Sequence, residues 1–448
     1  YEKWIKIDDW MYLNSNLDSN IERIFDDYLD VWISKIIKFD ADFIFLSVFC
    51  WQCHKFTKKF LAMLRPRTNA KIIIGGQGLI NEENGTWAKE PYFAIECKKL
   101  GIIDHWIRGE AESTIPEVVK GNFQAKGIDG NEWATFSEID THEPMDFSDT
   151  DPNDYPGGYT GGVLPIESSR GCIRRCVFCD IPTVHGGFRW KDGDKLAKEM
   201  IHYYENHKTR NFLFNDAACN GSMKEFRKFN KHLINYYKKN NLEARYFGYT
   251  SHSLIRSKKS MPSLDYELMA EAGADTMVIG IESGSEKVRN DMKKQSSDED
   301  IDYSFEQYSK NKIKVYMLMI TGFPTETEED FEQTLKMLDR YQNYVADGTI
   351  VGINGGTTLT VEEGSPIISK IKDWNIVSTK GSDVRPNGVD WISLDNPSLT
   401  YKARILRRIK LQEYAHNLGY IVWKGNDQLK IMKNKYEQKL TTLQGLIH

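Results

Sequence analysis

The chain has 448 residues, 40% of them hydrophobic, and a formal charge of -5, which suffices for ordinary cores in roughly two or three domains. No apolar run approaches the roughly 18 to 20 residues of a membrane span, and the start, Tyr1-Glu2-Lys3-Trp4, shows no basic region followed by an apolar stretch. Seven cysteines, three of them in one short motif, do not make a disulfide framework, so a reducing cytoplasmic setting and no membrane partner are expected.

The first segment alternates strands and helices. Residues 3–10 read as a strand, 21–39 as an amphipathic helix, 42–48 as a buried strand and 56–65 as a helix. A short strand over 71–74 runs into Gly75-Gly76-Gln77-Gly78, and another over 102–108 runs into Gly109-Glu110-Ala111-Glu112. Such alternation argues a doubly wound parallel sheet, whose ligands sit beyond the carboxyl ends of its strands. Glycines at those ends allow close backbone approach to a ligand, but they also make tight turns.

Between the strand over 42–48 and the helix over 56–65 lies Cys50-Trp51-Gln52-Cys53-His54. The string matches the covalent haem-attachment signature and contains a redox-type C-x-x-C, and it also suits a strand-end loop lining the upper face of the domain. Residues 145–162, rich in Asp, Pro, Gly and Tyr, read as a linker.

From Gly162 the repeats lengthen. A strand over 163–168 ends in Arg170-Gly171-Cys172-Ile173-Arg174-Arg175-Cys176-Val177-Phe178-Cys179, with cysteines spaced C-x-x-x-C-x-x-C. Helix and strand then alternate: helix 195–206 and strand 211–215, helix Met223–Lys239 and strand 244–249, helix 264–272 and strand 276–281. Two helical stretches between 286 and 310 lead into a strand over 314–320. A helix over 328–338 follows, opened by a capping pair of Thr325 and Glu328, and a strand over 349–353 closes the series. Six strand-helix units suit a partial (β/α)6 barrel, whose functional groups gather on the carboxyl rim. Beyond residue 356 the repeat is lost, and a mostly helical C-terminal region begins near Leu399.

Three thiolates on one loop can hold three irons of a 4Fe-4S cubane and leave the fourth without a protein ligand. Together with the aromatic residue before the third cysteine, this spacing resembles the radical S-adenosylmethionine (SAM) superfamily. The resemblance implies that SAM chelates the open iron and that an electron from the cluster breaks a carbon–sulfur bond to give a 5'-deoxyadenosyl radical. It further implies Cys172, Cys176 and Cys179 as cluster ligands and Phe178 as a cluster shield or adenine neighbour. Carried over to the other strand ends, it makes Asn215 and Asp216 the partners of the SAM amine. In the same way Glu282 and Ser283 are implied for ribose or methionine, and Thr321 and Gly322 for adenine. Arg170, Arg174, Arg175 and Arg189 are unranked candidates for the SAM carboxylate, and Tyr249 is a candidate catalytic residue in the mouth. The plain alternative is a structural zinc site of the three cysteines with His185 or Cys219.

The first segment, in turn, resembles the cobalamin-binding-type domain that precedes many radical SAM domains, which implies Gly75, Gly76 and Gly78 as cofactor contacts. It departs from that pattern at Ala111, where G-E-G-E has glycine, and it lacks the Asp-x-His-x-x-Gly motif that gives cobalt a histidine; Asp140-Thr141-His142 is the nearest string. In domains of this type another strand precedes the one at 3–10, so one strand-helix unit upstream of Tyr1 is expected to lie outside this sequence. The expected activity is methyl transfer to an unactivated carbon with cobalamin, with radical rearrangement, cyclisation or oxidation on a scaffold-only first domain as the alternative.

The expected partners are a small-molecule or peptide substrate and an external electron donor of the flavodoxin or ferredoxin type. From Tyr401 to His448 there are ten Lys/Arg against three Asp/Glu. This basic tail leaves nucleic acid open as a partner, although helical spacing of Leu, Ile and Tyr within it favours a solvated helix face.

Overall fold

Hydrophobic spacing sets out the first unit, Tyr1–Ser137, which the fold separates from the second, Glu138–His448. The computed structural model describes residues 19–80, 90–146 apart from 131, 137 and 142, and 163–422 apart from 363, 382, 383 and 387. The strand expected at 3–10 and most of the linker expected at 145–162 lie outside the described residues.

In the first unit, helix α1 (Ser19–Lys38) buries Ile21, Phe25, Leu29 and Ile33, one residue per turn on a single stripe. That stripe joins a core with Leu61 and Leu64 of α2 (His54–Leu64) and with Ile72 and Ile74. Strands β1 (Phe43–Ser47), β2 (Lys71–Gly75) and β3 (His105–Trp106) pair in that order, all parallel. Helices α3 (Tyr92–Lys99) and α4 (Thr114–Val119) complete the alternation.

The second unit is built on six parallel strands. They are β4 (Val163–Ile166), β7 (Asn211–Phe214), β8 (Gly248–His252), β9 (Ala274–Glu282), β10 (Lys314–Thr321) and β11 (Ile350–Thr358), adjacent in that order. A two-stranded antiparallel ribbon, β5 (Ser169–Arg170) with β6 (Arg189–Trp190), brackets the cysteine loop. The crossover helices include α6 (Gly193–His207), α7 (Met223–Lys239), α8 (Ser263–Ala272), α9 (Glu286–Asp291), α10 (Asp298–Lys310) and α11 (Glu328–Arg340), with α5 (Ile181–Val184) a short turn after the cysteines. The expected partial barrel is therefore present. Several bounds shift: the strand expected at 102–108 narrows to His105–Trp106, the one expected at 349–353 extends to Thr358, and two further shifts have a local cause. The third strand begins at Gly248 instead of 244, because Arg245 adopts a left-handed conformation (φ 60°) that breaks an extended run. Helix α11 is capped by Thr327 and Asp330, which form the reciprocal capping box two residues later than expected.

A helical turn α12 (Gln342–Ala346) precedes β11, and after β11 the chain forms a 3-10 segment (Pro366–Trp374), a hairpin of β12 (Ile376–Ser378) with β13 (Trp391–Ser393), and the long helix α13 (Tyr401–Asn417). Arg404 of α13 is fully buried, with its guanidinium 3.7 Å from the Trp391 ring centroid and bonded to the carbonyls of Trp391 and Val389. Arg407 pairs with Glu326 and Glu328, and Lys410 with Glu332. Arg404 is thus directed into the β12–β13 hairpin, and Arg407 and Lys410 into the start of α11 and the turn before it. Among the described residues, no helix is long and apolar enough to cross a membrane.

Candidate active site

At the carboxyl end of β4 the chain turns sharply into the cysteine loop. Gly171 has φ 77°, and a Cβ there would meet the Gly187 carbonyl oxygen at 2.2 Å, so only glycine lets the loop cross the β5–β6 ribbon. Arg170 holds Glu167 with a two-pronged contact, Nε to Oε1 at 2.7 Å and Nη2 to Oε2 at 3.0 Å. The middle of the loop is pinned at Val177, whose N–H donates to Met292 O (3.0 Å) and whose carbonyl accepts from Ile367 N–H (2.7 Å). Val177 and Phe178 thereby join an apolar cluster with Val288, Met292, Phe323 and Trp391.

Cys172, Cys176 and Cys179 line one cavity of about 410 Å³ at the strand ends. Phe178, Asn215, Asp216, His252, Glu282 and Lys294 also line it. Burial raises the Cys176 thiol and pushes the Cys179 thiol up to about 12, so the bare thiols keep their protons and metal ligation is what would release them. Among the described residues no three His, Cys, Asp or Glu side chains converge on a single metal ion. Cys219, offered above as a fourth zinc ligand, is fully buried in the barrel core with its thiol pushed up to about 12 by burial.

Glu282 is the most distorted element of the rim. The β9–β10 register slips between Leu318 and Met319, opposite Gly280 and Glu282, and Glu282 itself has φ 70°. A bulge with a non-glycine residue in the left-handed region re-aims a side chain at the cost of local strain. Here the carboxylate reaches Lys294 Nζ at 2.6 Å. Burial would lower the Lys294 pKa, but Glu282 and the nearby Cys176 thiol outweigh it and the net shift is upward, so Lys294 is a fixed cation in the cavity. Its ammonium lies 6.0 Å from the Phe178 ring centroid. Lys294 had no signal in the sequence, where it reads as one more solvated lysine in Lys293-Lys294.

Several expected contacts are placed elsewhere. Tyr249 is 1% exposed, stacked on Phe214 at 5.2 Å and bonded through its hydroxyl to Asn230 Oδ1 at 3.0 Å; it belongs to the core and does not line the cavity. Ser283 is buried against Thr334 and its Oγ accepts from Ser285 N–H, a local turn bond that positions Ser285, the N-cap of α9. Gly322 has φ 82°, and a Cβ there would strike Arg404 Cγ at 2.4 Å, so helix packing accounts for the glycine. Thr321 is buried beside it, with its carbonyl accepting from Leu359 N–H. Asp216 lines the cavity, but its carboxylate accepts from the Ser168 and Ser169 amides (2.9 and 3.0 Å) and from Ser168 Oγ, anchoring the start of the loop. Burial pushes its carboxyl up to about 7 despite these donors. In the first unit, a Cβ on Gly76 would meet Val48 O at 2.5 Å and one on Gly78 the Cys50 backbone at 2.9 Å. Those two glycines serve close packing of their own loops, and Gly75 has only an ordinary contact with Ile107 O at 3.6 Å.

A six-stranded parallel half-barrel with three thiols on the loop after its first strand, all facing one rim cavity, is the architecture of a radical SAM domain. Residues 166–338 match the family described as Radical SAM superfamily, so this part of the chain is a radical SAM domain. It is 25% identical over 333 residues to bacteriochlorophyllide d C-12(1)-methyltransferase of Chlorobaculum tepidum, covering 73% of this chain and 66% of that one. In fold it is similar to the cobalamin-dependent SAM radical enzyme OxsB with aqua-cobalamin and SAM bound (TM-score 0.64, 15% identity, 92% of this chain and 64% of that one). It is also similar to the radical SAM methyltransferase TsrM of Kitasatospora setae (TM-score 0.60, 12% identity, 81% of this chain and 72% of that one). The chain thus spans about two thirds of the length of that methyltransferase relative and of OxsB.

Proposed function

We propose that this protein is a cobalamin-dependent radical SAM methyltransferase acting on an unactivated carbon of a small-molecule or peptide substrate. The observation that carries the reading is the cysteine-lined rim cavity, in a chain whose first unit is a parallel α/β sheet preceding the barrel. The cavity's donor set suits the groups it would hold. Three thiols supply cluster ligands, and the buried Ser169 Oγ and Ser296 Oγ in its wall have no hydrogen-bond partner among the described residues, as expected of a surface built for a polar ligand. In the first unit, Gln52 Oε1, on the loop after β1, is likewise buried without a partner, which suits a polar cofactor at the strand ends.

When bound, the cluster and SAM supply reductive carbon–sulfur cleavage and hydrogen-atom abstraction, and cobalamin supplies a methyl carrier. The chain's own residues bind and orient. Lys294 offers a cation to a carboxylate, and Glu282 an acceptor to hydroxyl or ammonium groups. Arg174, whose guanidinium is held by Gln295 Oε1 (2.6 Å) and the Ile255 carbonyl (2.9 Å), lines the same wall. Phe178 closes the cavity against water on the cysteine side. Electrons come from an external flavodoxin or ferredoxin type donor.

A second reading, radical chemistry on a scaffold-only first domain, draws support from Gly76 and Gly78, whose missing side chains are already accounted for by loop packing. One anaerobic experiment separates the two. After reconstitution with iron, sulfide and cobalamin, SAM and a reductant are added and the products measured. Cobalt binding with release of both 5'-deoxyadenosine and S-adenosylhomocysteine is expected. 5'-Deoxyadenosine with neither cobalt nor S-adenosylhomocysteine overturns methyl transfer in favour of the second reading.

A further inference from the structure

The Cys50-Trp51-Gln52-Cys53-His54 string takes no part in the chemistry above, and its geometry is specific. The residues Trp51–Cys53 form a 3-10 turn closed by Cys53 N–H to Cys50 O at 3.0 Å, and the two sulfurs lie 3.6 Å apart. A hydrogen-bonded four-residue turn keeps its end Cα atoms within about 7 Å, inside the range a disulfide spans, and the bond itself measures about 2.05 Å. The two sulfurs thus lie within reach of a disulfide. Both thiols are partly exposed, whereas Cys97 and Cys219 are fully buried. Partial exposure is what distinguishes reactive from structural thiols.

The competing uses of the string do not fit. His54 is 4% exposed, its Nε2 is 2.7 Å from the Gly78 carbonyl oxygen, and its ring stacks on Phe93 at 4.0 Å, so that nitrogen is not offered to a haem iron. A zinc site needs further ligands, and among the described residues no third His, Cys, Asp or Glu joins the pair.

We propose that Cys50 and Cys53 are a reversible dithiol/disulfide centre that exchanges with low-molecular-weight disulfides of the glutathione type. The Cys50 thiolate attacks one sulfur of the external disulfide, forming a mixed disulfide and expelling one glutathione thiolate, which takes up a proton. Cys53 then loses its proton and displaces the second glutathione. Two protein thiols are oxidised by two electrons to one disulfide, and one external disulfide is reduced to two thiols. Burial and the hydrogen bond with Cys50 hold the Cys53 thiol above its ordinary value, which suits Cys53 to the resolving role and Cys50 to the attack. The turn is also tied to the glycine loop: Gly78 lies against the Cys50 backbone, its N–H donates to Val48 O at 2.8 Å, and its carbonyl meets His54.

The test uses the full-length, cluster-reconstituted protein under anaerobic conditions, equilibrated with mixtures of reduced and oxidised glutathione, acid-quenched, alkylated and mapped by peptide mass spectrometry. The expected result is a peptide two hydrogens lighter, linking Cys50 to Cys53, restored by dithiothreitol, with Cys97 unmodified. Cys53→Ser should accumulate glutathione on Cys50, while Cys50→Ser should acquire it on Cys53 about tenfold more slowly. Full alkylation of both thiols across the whole range, or a mixed disulfide that persists in the unsubstituted protein, overturns the proposal. Cys50→Ser and Cys53→Ser should retain the iron content of the unsubstituted protein, which separates this result from loss of fold.

Discussion

Lys294 Nζ sits 2.6 Å from Glu282 Oε1, and the pair joins a residue three positions past the short helix α9 to the bulged end of the fourth barrel strand. Both side chains are largely buried, at 15% and 8% exposure, so removing one partner leaves an uncompensated charge that costs about 3–5 kcal/mol. Lys294→Met and Glu282→Gln should each lower the thermal midpoint, and Lys294→Met should weaken SAM binding by about 10-fold or more, equivalent to about 1.4 kcal/mol. The double variant should regain stability relative to either single one while SAM binding stays weak. Titration of SAM into the reconstituted variants checks this, and unchanged affinity in Lys294→Met would remove the lysine from the cofactor site.

The three cysteines act as one unit. Cys176→Ala should abolish the broad visible absorbance of the reconstituted protein and SAM cleavage with it, while far-ultraviolet circular dichroism stays unchanged. Cys219→Ala, which alters only the barrel core, should keep the absorbance and lose about 1–3 kcal/mol by removing a buried side chain. Retained colour in Cys176→Ala would refute the ligand assignment.

Tyr249 gives a prediction of the opposite kind. Tyr249→Phe removes the bond to Asn230 Oδ1 and strands that acceptor in the core, costing about 1–3 kcal/mol, while SAM cleavage per folded molecule should stay within about twofold. A large fall in cleavage at unchanged stability would return the tyrosine to the site.

Asp216 makes stability depend on pH. Its folded pKa of about 7 lies above the ordinary 3.8, so between those values the folded protein holds the proton more tightly than the unfolded chain. Its contribution is therefore fully present below the unfolded pKa and is lost as pH rises through about 7. Asp216→Asn keeps an acceptor for the Ser168 and Ser169 amides without the titration. The difference in urea midpoint between the variant and the unsubstituted apo protein should move in the variant's favour from pH 4 to pH 8, and a difference constant with pH contradicts the assignment.

What the sequence made legible follows the range of the interactions involved. Helix Met223–Lys239 was readable to the residue, because its apolar spacing, the Ser222 cap and the closing lysines are all local. The cysteine loop was readable for the same reason. Lys294 was not, since its partner is fixed only when the strand bulge turns Glu282 toward it. Gly322 and Ser283 misled in a different way: motifs at strand ends look alike whether they face a ligand or a packed side chain, and only the placement of Arg404 and Thr334 decides between them.

Val177 holds the cysteine loop from both sides, its N–H on Met292 and its carbonyl on Ile367. At ordinary rates of synthesis, roughly 5–20 residues per second, Ile367 leaves the ribosome about 10–40 s after the three thiols do. During that interval the carbonyl edge of the loop lacks its partner. Iron and sulfide are therefore best received after release of the finished chain, and a protein shortened before Ile367 should emerge as a poor acceptor of its own cluster.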